Sequence, residues 1–142
     1  IAGRGCALFR FRNILMATLI CYDVEFPETV RHVAALGAQV VLAPTALASK
    51  WQWVARVLIP ARAFENGVFL AYANHAGTEN GLHYLGESVI AAPDGEELVR
   101  ASDAPGTIMA DLTMHRVAAA QARLPYLKDC ERLALRPSGA AW

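Results

Sequence analysis

Residues 14–28 read ILMATLICYDVEFPE: a run from Ile14 to Ile20 that is apolar at nearly every position, then Cys21, then a polar turn leading to Pro27 and Glu28. So short and apolar a run suits a strand covered on both faces. Cys21 ends it. Pro27 suits the first turn of a helix, because its missing N–H would have no partner there, and Val30, Val33, Ala34 and Gly37 follow at helical spacing, with Gly37 as the cap. The stretch is therefore strand, turn, helix, with a cysteine at the turn. A thiol in that position leaves the carboxyl edge of a sheet and faces a helix start, where unpaired N–H groups and the helix dipole favour an anion. Cys21 is the candidate nucleophile.

Working outward, residues 39–43 (QVVLA) form a second buried strand closed by Pro44 and Thr45. Residues 47–58 carry Trp51, Val54, Ala55 and Leu58 at helical spacing, Pro60 restarts or kinks that helix, and Gly67 ends it. Residues 68–73 (VFLAYA) make a third strand. Strand and helix alternating over short connections predict parallel neighbouring strands in an α/β domain. In such sheets ligands sit beyond the carboxyl ends of the strands. Those ends deliver Cys21, Pro44-Thr45-Ala46 and Asn74-His75 to one edge. Further on, AGTENGLHYLG (76–86) reads as a loop, followed by short runs at 87–91, 97–101 and 107–112, the first two joined by a Pro93-Asp94-Gly95 hairpin turn. Residues 114–123 read as helix and 124–142 as an extended arm, giving a core at 14–123 within one domain or a part of one, 1–142.

Thirteen basic and 13 acidic residues, well mixed, give zero net charge, so there is no electrostatic footprint for nucleic acid. The hydrophobic fraction of 55% is high, yet no apolar run approaches the ~18 residues of a membrane span. Small molecules or protein are the expected partners. Cys6, Cys21 and Cys130 are irregularly spaced, which predicts neither a disulfide framework nor a zinc site, and a cytoplasmic setting fits. The chain starts at Ile1 rather than at a methionine, so sequence upstream is expected.

A free thiol is only a few per cent thiolate at neutral pH and needs a base. His75, at the same edge, is the internal candidate. Asp23, Glu25 and Glu28 crowd the turn; those beside the helix start serve the dipole, Glu28 pairs with Arg31, and Glu25 is the one expected to project into a site. Glu65 reads equally well as a structural carboxylate paired with Arg62 or Arg56.

The segments ICYDVEFPETVR (20–31), GAQVVLAPTA (37–46), RAFENGVFLAYAN (62–74), GESVIAAPDGE (86–96) and LPYLKD (124–129) together resemble successive blocks of the nitrilase superfamily, the carbon-nitrogen hydrolases. The resemblance implies an αββα sandwich, of which this chain supplies roughly the C-terminal half, and a Glu-Lys-Cys triad without metal or organic cofactor. By that analogy Cys21 attacks an amide or nitrile carbon, a thioester or thioimidate forms, and water releases the acid. The backbone N–H of Tyr22 and the family lysine would hold the oxyanion. Histidine is not the base in the family, which leaves a Cys21-His75 thiol hydrolase as an alternative of a different kind. The family glutamate and lysine precede the cysteine, and residues 1–20 contain neither residue type; they are expected upstream, on another chain, or nowhere, in which case the chain is a non-catalytic remnant acting in dimerisation or binding. Relatives that hold a carboxylate place arginines where Val24 and Glu25 stand here. Glu25 is therefore expected to favour an aliphatic amide whose acyl part bears an amine. Tyr22, Thr45, Trp53, Asn74 and His75 are the remaining candidates for the pocket, and a homodimer is expected from the family's use of the C-terminal arm.

Overall fold

A computed structural model of the chain describes residues 5–133. Eight strands and four α-helices occur among them: β1 (Ala7–Phe11), β2 (Ile14–Thr18), α1 (Pro27–Ala35), β3 (Val40–Thr45), α2 (Ile59–Asn66), β4 (Phe69–Asn74), β5 (Ala76–Glu79), β6 (Leu82–Leu85), β7 (Val89–Ala91), β8 (Glu97–Arg100), α3 (His115–Arg123) and α4 (Tyr126–Cys130). Six strands form one sheet in the order β1-β2-β3-β4-β7-β8. Its centre, β2-β3-β4, is parallel, as the strand-helix alternation requires, and the flanking pairs are antiparallel.

One face of the sheet is closed by α1 and α2. Ala17, Val41, Ala43, Leu70, Val89 and Ala91 point there and meet Val30 and Val33 of α1 and Ile59 and Ala63 of α2 in the main core. The opposite face is only partly covered. Val40, Phe69, Ala92 and α3's Val117 form a smaller cluster, whereas Phe9 and Phe11 remain exposed and Ile14, Met16, Leu42, Ala71 and Ile90, which share their face by register, are only half-buried. An αββα sandwich sets a second sheet against such a face.

Several expectations need correction. Residues 76–86 are not a loop but the antiparallel hairpin β5–β6, turning through Asn80 and Gly81, both at positive φ; Asn-Gly is the strongest short hairpin signal. Residues 7–11 also pair, β1 folding back on β2 through Arg12 and Asn13, again with positive φ. Pro44 and Thr45 continue β3 rather than closing it, paired with Ala73 and Asn74. The 107–112 run joins no strand. Residues 126–130 of the expected arm are helical, Tyr126 packing edge-on against Phe64 with ring centroids 6.4 Å apart, and 134–142 lie outside the described residues.

The helix after β3 begins as a 3-10 turn, Ser49–Trp51, and passes through a π-helical turn, Val54–Leu58, before α2. Pro60 accounts for the disturbance. Ile59 donates to the Val54 carbonyl, the i→i−5 pattern, and the next donor in that pattern would be the N–H that Pro60 lacks. The stranded Ala55 carbonyl is met instead by the Arg100 guanidinium at 3.2 Å.

Candidate active site

Cys21 opens a 3-10 turn, Cys21–Glu25, set between β2 and α1. The helix start that the sequence places next to the cysteine is thus six residues away, at Pro27, and the short turn supplies the nearest unpaired N–H groups, that of Tyr22 among them. The strand pairing runs one residue beyond β2, Leu19 donating to the Leu42 carbonyl at 3.0 Å, so the chain leaves the sheet abruptly. Cys21 takes up the reversal with φ +51°. A non-glycine residue held there costs about 1–2 kcal/mol and persists only where its surroundings enforce it.

The surroundings are specific. Asp23 accepts from the Ile20 N–H at 3.3 Å, and its own N–H donates to the Ile20 carbonyl at 3.1 Å. The Thr29 hydroxyl donates to the Asp23 and Phe26 carbonyls. From α2, buried Arg62 reaches across to donate to the Glu25 carbonyl at 2.7 Å while pairing with Glu65 at 3.0 Å. Of the partners open to Glu65, Arg62 and Arg31 are the ones it meets; Arg56 pairs with Glu87.

The turn borders a cavity of about 450 Å3 lined by Tyr22, Glu25, Leu47, Trp51 and Val54. Glu25 forms no ion pair or side-chain hydrogen bond among the described residues, and burial raises its carboxyl above the usual range. Glu87 shows the reverse: the hydrogen bond and charge of Arg56 hold it low. The Lys50 ammonium lies 5.2 Å from the centroid of the Trp51 ring, which lines the cavity.

The other candidates are placed differently. Trp53 is 72% exposed and lines no part of this cavity; Trp51 takes that place, and its spacing of three from Val54 was the available signal. Thr45 turns its hydroxyl to the Ala43 carbonyl at 3.3 Å. Asn74 is a clamp. Its carbonyl oxygen accepts from Leu47 N–H at 2.7 Å, its amide donates to Gly86 at 2.7 Å, and its backbone N–H donates to Ser88 Oγ at 2.9 Å. The His75 ring lies edge-on to Tyr84 with centroids 4.3 Å apart, 3.5 Å from the Glu79 carboxylate, and no hydrogen bond joins it to Cys21. Asn74 and His75 instead border a second hollow with Ser88 and Gly106. No cluster of three or more metal-binding side chains occurs among the described residues.

The family model described as carbon-nitrogen hydrolase matches residues 2–122. The chain belongs to the carbon-nitrogen hydrolases. Within them it is similar to a Pseudomonas protegens protein described as hydrolase in pqqF 5'region, 44% identical over 111 residues, which make up 78% of this chain and 39% of that one. An (R)-stereoselective amidase of Pseudomonas sp is 36% identical over 84% of this chain and 44% of its own. Among solved structures, a mutant of the Nesterenkonia AN1 amidase from the nitrilase superfamily superposes with TM-score 0.78 at 43% identity, covering 90% of this chain and 45% of the amidase. The α/β fold is thus that of the nitrilase-type amidases. The chain spans about half the length of these relatives. Other structures of the Nesterenkonia amidase contain butyramide, or acrylamide added to the active-site cysteine.

Proposed function

We propose that this carbon-nitrogen hydrolase chain contributes the nucleophile and one wall of the substrate pocket to an enzyme that hydrolyses small aliphatic amides. The observation that carries the reading is Cys21, held at positive φ on the strand edge at the head of the turn that sends Tyr22 and Glu25 into the cavity. A general base takes the thiol proton as sulfur attacks the amide carbonyl; the tetrahedral oxyanion is met by the Tyr22 N–H; the C–N bond breaks as the leaving nitrogen takes the proton, and a thioester remains. Water, giving up a proton to the same base, then displaces the sulfur and releases the acid. The reading calls for a general base and a second oxyanion donor besides Cys21 and the Tyr22 N–H.

The amide ligands of the Nesterenkonia amidase support a small acyl group. Glu25, which lines the cavity together with Tyr22 and Trp51, suits an acyl part carrying an ammonium, since a carboxylate and aromatic faces both attract cations. In the full protein, Cys21→Ala is expected to lower amide turnover by roughly 10³-fold or more, and Glu25→Gln to raise KM for aminoacyl amides but not for butyramide. Undiminished turnover by Cys21→Ala refutes the nucleophile; an equal effect of Glu25→Gln on both substrates refutes the acyl preference. The half-open sheet face favours a second reading, a non-catalytic chain that acts by pairing through that face. Amide hydrolysis by the full protein that is lost in Cys21→Ala would rule it out.

A further inference from the structure

One buried cation has no part in the chemistry so far. Arg62 is 8% exposed and lies with Ile59, Ala63 and Asn66 on the covered side of α2. A buried ion pair is weak ground for stability, because apolar side chains of similar size often serve a core as well or better. Its Nε–H also has no hydrogen-bond partner among the described residues. What the guanidinium does there is told by its two contacts.

Nη1 donates to Glu65 Oε1 at 3.0 Å, and Nη2 donates to the Glu25 carbonyl at 2.7 Å. A guanidinium so close to a glutamate ordinarily takes the carboxylate, the stronger acceptor. Here the Glu65 carboxylate fills that place. Glu65 is itself held by Arg31, which donates to its carbonyl at 2.7 Å and stands 3.9 Å from its carboxylate. The Asn66 amide donates to the Arg62 carbonyl at 2.9 Å. Glu25 is the last residue of the 3-10 turn, so its carbonyl has no partner within the turn. Arg62 therefore fixes the Glu25 backbone and leaves its side chain to line the cavity with Tyr22 and Trp51.

We propose that Arg62 is a positioning residue for substrate recognition: gripping the Glu25 carbonyl while Glu65 occupies its other arm, it keeps the Glu25 carboxylate in the cavity for the ammonium of the substrate. Arg62 touches no substrate itself. The recognition rests on the acyl preference proposed above; the positioning does not.

The test is a double-mutant cycle of Arg62→Lys and Glu25→Gln in the full protein. Lysine keeps the charge beside Glu65 but lacks the planar fork that holds two acceptors at once. Burial disfavours the Glu25 carboxylate, so at pH 7 Glu25→Gln is expected to raise the urea midpoint of the otherwise unsubstituted protein. In Arg62→Lys, where the carboxylate turns out to solvent, the gain is expected to be smaller. A gain of the same size in both, or none in the unsubstituted protein, overturns the proposal and leaves Arg62 as a structural prop. Should Arg62→Lys fail to fold, Glu65→Gln, which loosens the guanidinium without removing it, takes its place with the same expectation. In turnover, Arg62→Lys is expected to raise KM for an aminoacyl amide by about tenfold, as for one lost charge-assisted contact, and to leave KM for butyramide unchanged, while kcat falls for both because the same turn carries Cys21. KM shifted equally for both amides, or by Glu25→Gln alone, overturns the recognition. If the cycle shows the coupling but neither variant separates the two amides, the positioning stands and the acyl preference falls.

Discussion

Cys21 and Glu25 are four residues apart in one short turn, and each is held in a state that isolated peptides avoid: Cys21 at φ +51°, Glu25 as a carboxyl that burial raises above its ordinary value of 4.5. For Glu25 the consequence for stability has a definite sign. A raised acid pKa means that folding disfavours the charged form, so the penalty is complete above the folded pKa, fades as pH falls through it, and is gone below 4.5. Glu25→Gln is therefore expected to stabilise the protein against urea at pH 7 and to leave it unchanged at about pH 3; destabilisation at pH 7 would show that the carboxylate has a partner. Asn74, proposed as pocket lining from its place at a strand end, joins three chain segments through its side chain and backbone. Asn74→Ala leaves the Leu47 N–H and the Gly86 carbonyl unpaired, and is expected to cost about 2–4 kcal/mol in denaturant unfolding.

Among the elements, the parallel trio β2-β3-β4 was legible because each strand is a short apolar run bounded by a helix-breaking or turn residue. The edge they share followed from alternation alone. What stayed hidden depends on partners distant in sequence. The π-turn at Val54–Leu58 is tolerated because Arg100, 45 residues beyond Ala55, supplies the donor that Pro60 cannot. Arg100→Ala, which also removes the bond to the Glu87 carbonyl at 3.2 Å, is expected to lower unfolding free energy by about 2 kcal/mol, with Pro60→Ala recovering part of it by restoring the missing N–H. No recovery would mean that the π-turn has another cause. The β5–β6 hairpin was hidden for a different reason: its turn residues, Asn80-Gly81, are the clearest in the chain, but its strands lack the apolar alternation that marks a core strand, since Thr78, Glu79, Leu82 and His83 all face solvent. Trp51 and Trp53 show the limit of periodicity. Both sit on one helical stretch, and only the phase set by Val54 separates the ring on the cavity from the ring in solvent.

For the molecule as a whole, the division of the sheet into a covered and a half-open face agrees with a chain that spans about half of its relatives. The 55% apolar composition shows its purpose here: Phe9, Phe11, Ile14 and Met16 follow a strand's alternation yet end on a face that these residues do not bury. Among the described residues, the edge that gathers Cys21, Thr45 and Asn74 brings no acid or base into hydrogen-bonding contact with the thiol. Whether Cys21 is the nucleophile is tested most directly by trapping. The full protein, mixed with a good amide substrate and quenched in acid within one turnover, is digested and its peptides weighed. The expected result is a single acyl adduct on the peptide containing Cys21, absent from Cys21→Ala. An acylated residue elsewhere, or turnover by Cys21→Ala at the unsubstituted rate, would contradict it.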